Sequence, residues 1–147
     1  MQRLLQALAL LVTASIAGTA AAGAPLLFRH LGAESGLPQS TVLATLQDRQ
    51  GFIWLATEDG LARYDGYDVV RFGRDPDDPA GLASSFVWDL AEDAHGDLWL
   101  ATRGGGVSRW SRRTGRFTTY RHDPADPDSL SSDTARQVLV DRRGQVW

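Results

Sequence analysis

The chain has 147 residues, of which 43% are hydrophobic and 22% are charged, a length that allows one ordinary domain. The glycine and charged fractions lie near globular values, which excludes a collagen and a disordered acidic tail. The absence of cysteine excludes disulfides, thiolate catalysis and thiolate metal sites. The formal net charge is −3, so nothing electrostatic points to nucleic acid, and we expect no nucleic-acid partner.

The first 22 residues have the layout of a secretory signal peptide. Arg3 is their only charge, and it precedes an apolar run that leads into small residues. Ala20 and Ala22 satisfy the small-x-small rule, so we expect a signal peptide at 1–22 and cleavage after Ala22. The alternative is an uncleaved membrane anchor, which the short, Ala/Thr/Ser-rich run disfavours. Export predicts a periplasmic or external location for the mature chain.

The rest of the chain contains internal repeats. The pattern Asp-x-x-Gly-x-x-Trp occurs three times, and its tryptophans are 45 and then 48 residues apart. Its positions are Asp48, Gly51, Trp54, Asp93, Gly96, Trp99, Asp141, Gly144 and Trp147. Residues 36–57 and 81–102 share ten identities in 22 positions. We therefore expect repeats that start near residues 36, 81 and 129, the last of them truncated.

Each repeat contains short runs rich in β-branched, aromatic and leucine residues. In the first repeat they predict four strands, over 40–47, 52–57, 61–64 and 69–72. Tight turns separate the runs, because an Asp side chain can accept a downstream N–H while glycine takes a positive φ. These turns contain Asp48 and Gly51, Asp59-Gly60, Asp65-Gly66, and Gly104-Gly105-Gly106. The second run is apolar on both faces, so its sheet must be covered from both sides.

Four antiparallel strands in a unit of about 45 residues are typical of a β-propeller blade. We predict an all-β fold, an incomplete β-propeller over 23–147 made of four-stranded antiparallel blades. Trp54 and Trp99 would be wedges between blades, each burying on the order of 200 Å². Phe28-Arg29-His30 would form the outermost strand of the last blade of a closed ring.

Two full repeats and half of a third do not close a ring. We therefore expect an N-terminal piece of a longer protein, with the remaining blades of the same chain as its partners. Alone, such a piece would expose an unpaired edge strand, and we expect it to aggregate or to oligomerise.

Three segments of the first repeat carry a family resemblance: Gly-Leu-Pro-Gln-Ser-Thr-Val at 36–42, Asp-x-x-Gly-Phe-Ile-Trp-Leu-Ala-Thr at 48–57, and Gly-Leu-Ala-Arg-Tyr-Asp-Gly at 60–66. In this order they resemble the two-component regulator propeller repeat. The resemblance implies two seven-bladed propellers at the exported end of a membrane sensor. An Ig-like sandwich, a transmembrane helix and a cytoplasmic histidine kinase or diguanylate cyclase would follow. The second repeat departs from the first, with Arg103-Gly104-Gly105-Gly106 where the first has Glu58-Asp59-Gly60.

The resemblance also implies a function. This segment would be a periplasmic ligand-sensing module of an inner-membrane protein, without catalysis and without a cofactor. The implied partners are a small-molecule or oligosaccharide ligand and, in the full-length sensor, a second copy in a homodimer. Only downstream segments would contact the membrane. The ligand-binding residues are unknown at this point.

Candidate chemical sites have simpler structural interpretations. His30, His95 and His122 lie in different units without neighbours at metal-ligand spacing, so we expect no metal. Asp123, Asp126 and Asp128 offer oxygen donors suited to calcium, but they lack the EF-hand Gly and Glu and favour a connector between blades. A basic hairpin is expected to be solvated and balanced by Asp123 and its neighbours. It contains Arg109, Arg112, Arg113, Arg116 and Arg121.

The alternative function is a periplasmic propeller enzyme, either quinoprotein dehydrogenase-like or sialidase-like. A sialidase box has two steps from Asp to Gly, whereas Asp48 and Gly51 are three apart, and the quinoprotein docking motif is missing. No Gly-x-Ser-x-Gly elbow occurs, so a serine triad is not indicated. The Trp88-Asp89 dipeptide occurs without repetition, so the signature of a WD-repeat propeller is weak. We predict no catalytic residue in this segment.

Overall fold

The computed structural model describes residues 27–147. The signal peptide predicted at 1–22 lies outside the described residues. Within 27–147, no helix combines the length and the apolar character that a membrane crossing requires.

Among residues 27–147, eight strands form two sheets. The first repeat supplies β1 (Val42–Gln47), β2 (Ile53–Thr57), β3 (Gly60–Tyr64) and β4 (Val69–Phe72). The second supplies β5 (Val87–Glu92), β6 (Leu98–Thr102), β7 (Val107–Trp110) and β8 (Phe117–Tyr120). Consecutive strands pair antiparallel, and a 3₁₀ turn, Ala33–Ser35, precedes β1. The predicted all-β fold of four-stranded antiparallel blades is confirmed, and the four predicted strands of the first repeat match β1 to β4 within a few residues.

The second strand of the first blade is buried on both faces. Trp54 and Ala56 belong to the core between the two sheets, and both are fully buried. Leu55 points to the other face, where it packs with Leu37 and Ala62. The continuous apolar run of β2 therefore follows from its position inside a stack of sheets.

The two sheets meet along their first strands, because β5 packs against both β1 and β2. β1 and β5 are therefore the inner strands of the two blades. Trp54 lies at the centre of the contact, with its ring centroid 4.8 Å from that of Trp110 and 5.5 Å from that of Phe72. Trp99, the second predicted wedge, is only half-buried and stacks on Tyr120 at 5.5 Å. The difference arises because the third repeat covers the second sheet only in part.

Backbone hydrogen bonds join successive blades at the end of the sheets where β1 and β5 begin. We call this end the rim. The N–H of Gly60 donates to the carbonyl of Ser85 at 2.6 Å, and the N–H of Gly106 donates to the carbonyl of Asp133 at 2.7 Å. Each bond runs from the β2–β3 or β6–β7 hairpin to the segment that leads into the next repeat.

The third repeat is short but already folded at its turn. Leu139 and Trp147 exchange backbone hydrogen bonds of 3.0 and 2.8 Å. At the other end of the described chain, Phe28 is 82% exposed and residues 27–32 form no strand. The outer strand predicted there has no sheet to join among residues 27–147.

Candidate ligand-binding site

The Asp-x-x-Gly-x-x-Trp segment folds into a turn held by one carboxylate. In the first repeat, Asp48 Oδ1 accepts the backbone N–H groups of Gln50 at 2.9 Å and Phe52 at 3.1 Å. Its Oδ2 accepts the indole N–H of Trp54 at 2.8 Å. Gly51 has φ of +91°, the left-handed conformation that the turn requires. The carboxylate thus fixes both the turn and the orientation of the tryptophan.

The same turn occurs in all three repeats with different burial. The indole-to-carboxylate distance is 3.0 Å from Trp99 to Asp93 and 3.2 Å from Trp147 to Asp141. Trp54 is fully buried, Trp99 is half-buried and Trp147 is 71% exposed. The turn therefore forms wherever the motif occurs, and the burial of its tryptophan depends on the neighbouring sheet.

Arg112 connects the second blade to the first. Its Nη2 lies 2.9 Å from Asp48 Oδ2 and 3.3 Å from Glu92 Oε1, and its Nε donates to the carbonyl of Gly96 at 2.8 Å. The Asp48 side chain is fully buried, and that of Arg112 is 20% exposed. This ion pair joins the two blades at the end of the sheets opposite the rim, where the Asp-x-x-Gly-x-x-Trp turns lie.

The hydrogen bonds determine how the Asp48 carboxyl titrates. Burial by itself raises the pKa of Asp48. The Trp54 indole, Arg112 and the backbone N–H groups of Gln50 and Phe52 lower it by more, so the pKa lies below its ordinary value of 3.8. Asp93 is shifted in the same direction by a similar set of donors.

The predicted solvation of the basic hairpin holds for Arg113, Arg116 and Arg121, which are exposed, whereas Arg109 and Arg112 are partly buried. Four of the five arginines form ion pairs, none of them with Asp123. The pairs are Arg109 with Asp97, Arg112 with Asp48 and Glu92, Arg116 with Asp78, and Arg121 with Asp133. The hairpin folds back against its own blade and against the first one, which brings carboxylates distant in sequence within reach.

The aspartates considered for calcium close turns. Asp123 Oδ1 accepts the N–H of Ala125 at 2.9 Å, and Asp126 Oδ1 accepts the N–H of Asp128 at 3.0 Å. Of the histidines, His122 donates its backbone N–H to Asp133 at 2.8 Å. Within residues 27–147, no group of three His, Asp or Glu side chains is arranged to hold a metal ion.

A β-bulge lies near the start of each inner strand, at the rim. In the β1–β2 pair, Val42 faces Thr57 and Ala44 faces Ala56, which leaves Leu43 unpaired. In the β5–β6 pair, the register shift leaves Trp88 unpaired in the same way. Bulges redirect side chains and are frequent beside binding sites. The two bulges therefore give Leu43 and Trp88 equivalent positions in successive blades.

Around Trp88, two aromatic rings and two arginines form a cluster at the rim. The ring centroids of Phe86 and Trp88 are 4.6 Å apart. The guanidinium of Arg103 lies 5.4 Å from the Phe86 ring, and that of Arg136 lies 5.0 Å from the Trp88 ring. We call these four residues the rim cluster. The indole N–H of Trp88 is buried and has no acceptor among residues 27–147, so the cluster contains an unsatisfied donor.

Sequence reasoning missed the rim cluster, although a signal for it exists. Trp88 stood out only as half of an unrepeated Trp-Asp dipeptide. The sheet registers put Leu43 of the first blade in the place of Trp88, and the loop alignment puts Glu58 in the place of Arg103. Two members of the cluster, Trp88 and Arg103, thus differ strongly from the equivalent positions of the first repeat.

Comparison with known proteins gives a consistent result. The family model described as two component regulator propeller matches residues 36–59 and 81–104. Histidine kinase P4 of Formosa agariphila is 32% identical over 56 residues, which are 38% of this chain and 4% of that protein.

A solved structure extends the similarity to most of the chain. It is the extracellular domain of the hybrid two component system BT3049 from B. thetaiotaomicron, with a TM-score of 0.77 and 28% identity. The match covers 84% of this chain and 17% of that one. The chain thus spans less than a fifth of the length of either relative.

Proposed function

We propose that this chain, which matches the two component regulator propeller model over residues 36–59 and 81–104, is an extracytoplasmic ligand-sensing module of a membrane signal-transduction protein. The segment recognises a small molecule or an oligosaccharide and performs no catalysis. A histidine kinase or a diguanylate cyclase elsewhere in the full-length protein produces the output. The module works in the periplasm, and the full-length sensor forms a homodimer in the inner membrane.

One observation supports ligand recognition at the rim most directly. The rim cluster holds a buried indole N–H without an acceptor among residues 27–147, beside two exposed arginines. An unsatisfied buried donor costs about 1–3 kcal/mol. Arg63 Nε, Ser108 Oγ and Trp110 Nε1 are also buried without a partner among the described residues, but the Trp88 indole is the one that belongs to the rim cluster. Aromatic faces with a few polar groups are also typical of ligand sites. We therefore assign ligand contact to the rim cluster.

The proposal is tested by ligand binding to the full-length protein. Calorimetric titration with a panel of neutral and acidic di- to hexasaccharides identifies a ligand, and the Trp88→Ala variant is then compared with wild type. We expect the variant to lose at least about tenfold in affinity, since a central aromatic contributes strongly to binding.

The matched control for this experiment is Tyr67→Ala. Tyr67 is 92% exposed in the turn between β3 and β4, at the end of the first blade opposite the rim. The substitution removes a similar aromatic surface at a place outside the rim cluster, and we expect wild-type affinity. Equal affinity of Trp88→Ala and wild type for the identified ligand would refute the assignment of the site.

A further inference from the structure

The two arginines of the rim cluster differ in their ion pairing from most other arginines of the second blade. Arg109, Arg112 and Arg116 each lie within ion-pair distance of a carboxylate. Arg103 and Arg136 are exposed and have no carboxylate within that distance among residues 27–147. Two positive charges at the rim are therefore uncompensated.

These two guanidinium groups are held in place without being used as donors. Each lies over an aromatic face, Arg103 over Phe86 and Arg136 over Trp88. A cation–π contact fixes the position of the guanidinium and leaves its N–H groups free to donate. The planar fork of arginine matches the two oxygens of a carboxylate, a sulfate or a phosphate. The cluster is thus preorganised for an oxyanion.

The third donor of the cluster is the Trp88 indole N–H, which donates to no acceptor among residues 27–147. Its nitrogen is covered, so a ligand oxygen reaches it only when a side chain of the cluster turns aside. With the two arginines, the cluster presents donors and no carboxylate. The neighbouring acid, Asp89, already accepts the N–H of Val138 at 3.1 Å.

The first blade has the opposite charge at the equivalent place. Its β2–β3 hairpin carries the exposed acids Glu58 and Asp59, where the second blade has Arg103 and glycines. The hairpin of the first blade is thus negative at the rim, whereas the rim carries positive charge in the second blade and at the start of the third repeat, at Arg103 and Arg136. A negatively charged group is attracted to that sector and repelled from the first blade.

We propose that the rim cluster binds the oxyanion of a ligand, a carboxylate or a sulfate on a sugar ring, through Arg103, Arg136 and the Trp88 indole. This inference rests on the proposed function and specifies the chemistry of its ligand. The negatively charged group is held by the arginine N–H groups, and the ring lies against the aromatic side chains.

The test uses the full-length protein and four probes: glucuronate, galactose 6-sulfate, glucose and inorganic sulfate. Binding is followed by tryptophan fluorescence and calorimetry in wild type, Arg103→Gln and Arg136→Gln. We expect the two acidic sugars to bind more tightly than glucose, with affinity falling as salt is raised. Each substitution should lower their affinity on the order of tenfold, the loss of a charge-assisted contact.

The matched control is Arg113→Gln, which removes the same charge from an exposed residue in the β7–β8 hairpin, at the end of the second blade opposite the rim. We expect it to bind the acidic sugars as wild type does. Inorganic sulfate that binds as tightly as galactose 6-sulfate would overturn the sugar-ring part of the inference and leave a free oxyanion as the ligand.

The failure of this inference is distinguishable from that of the proposed function. If Arg103→Gln and Arg136→Gln bind the acidic sugars as Arg113→Gln does, the inference is refuted. If a neutral saccharide then binds and Trp88→Ala abolishes that binding, the sensing function stands without it. All variants are checked for folding by circular dichroism, and the exposed positions of both arginines predict wild-type spectra.

Discussion

Replacement of Asp48 by Asn removes one negative charge from between the two blades and leaves the side-chain volume almost unchanged. If Oδ1 continues to accept the N–H groups of Gln50 and Phe52, the new amide N–H₂ faces the Trp54 indole and Arg112, so three donors meet without an acceptor. Removal of one partner of a buried ion pair costs about 3–5 kcal/mol. Arg112 retains Glu92 at 3.3 Å, so we expect a loss near the lower end, about 3 kcal/mol.

The measurement is urea unfolding followed by tryptophan fluorescence, to which Trp54 and Trp110 at the contact between the blades contribute. Asp141→Asn is the matched control. Asp141 has the same turn and the same indole contact, but its tryptophan, Trp147, is 71% exposed. We expect Asp141→Asn to cost much less than Asp48→Asn. Equal losses would show that the turn alone, and not the buried interface, accounts for the effect, which would refute the reasoning.

Three further results are expected. Trp54→Ala should lower the unfolding free energy by about 3–5 kcal/mol. Trp99→Ala should lower it by less, because Trp99 is only half-buried. Both losses are measured by urea unfolding, and equal losses would contradict the prediction. Gly106→Ala should lower the melting temperature more than Gly104→Ala. Both glycines have φ of +73°, but only at Gly106 would an added Cβ collide with the Tyr120 carbonyl. A larger loss in Gly104→Ala would contradict the prediction. The pKa of Asp48 is lowered by folding, so the unfolding free energy should fall as the pH falls below about 5 towards that pKa. Asp48→Asn should flatten this profile, and an unchanged slope in the variant would count against the assignment.

The sequence was sufficient to predict the blades because the residues that determine each strand and turn lie close together in the chain. The runs that became β1 to β4 alternate with Asp-Gly turns, and the turn at Asp48 is complete within seven residues, from the carboxylate to Trp54. Arg112 was not predictable in this way. Its contact with Asp48 joins residues 64 apart in sequence and depends on how two whole sheets stack. The assignment of the basic hairpin to solvent therefore failed for Arg112, which lies partly buried between the blades.

The rim cluster was missed for a related reason. Its geometry depends on a bulge that leaves Trp88 unpaired and on the approach of Arg136 from the next repeat. Neither the register shift nor the contact is encoded by a local motif. Only a comparison of equivalent positions in the two blades, such as Leu43 with Trp88, points to it in the sequence.

The two ends of each blade join their neighbours by different means. At the end opposite the rim, side chains make the connection, through Asp48 and Arg112, so these identities are constrained by stability. At the rim, backbone groups make it, as in the bond from Gly60 to Ser85. A backbone hydrogen bond does not depend on the side chains that flank it. The rim positions of successive blades can therefore differ as widely as Leu43 and Trp88 do without loss of the fold, and so they are available for ligand recognition.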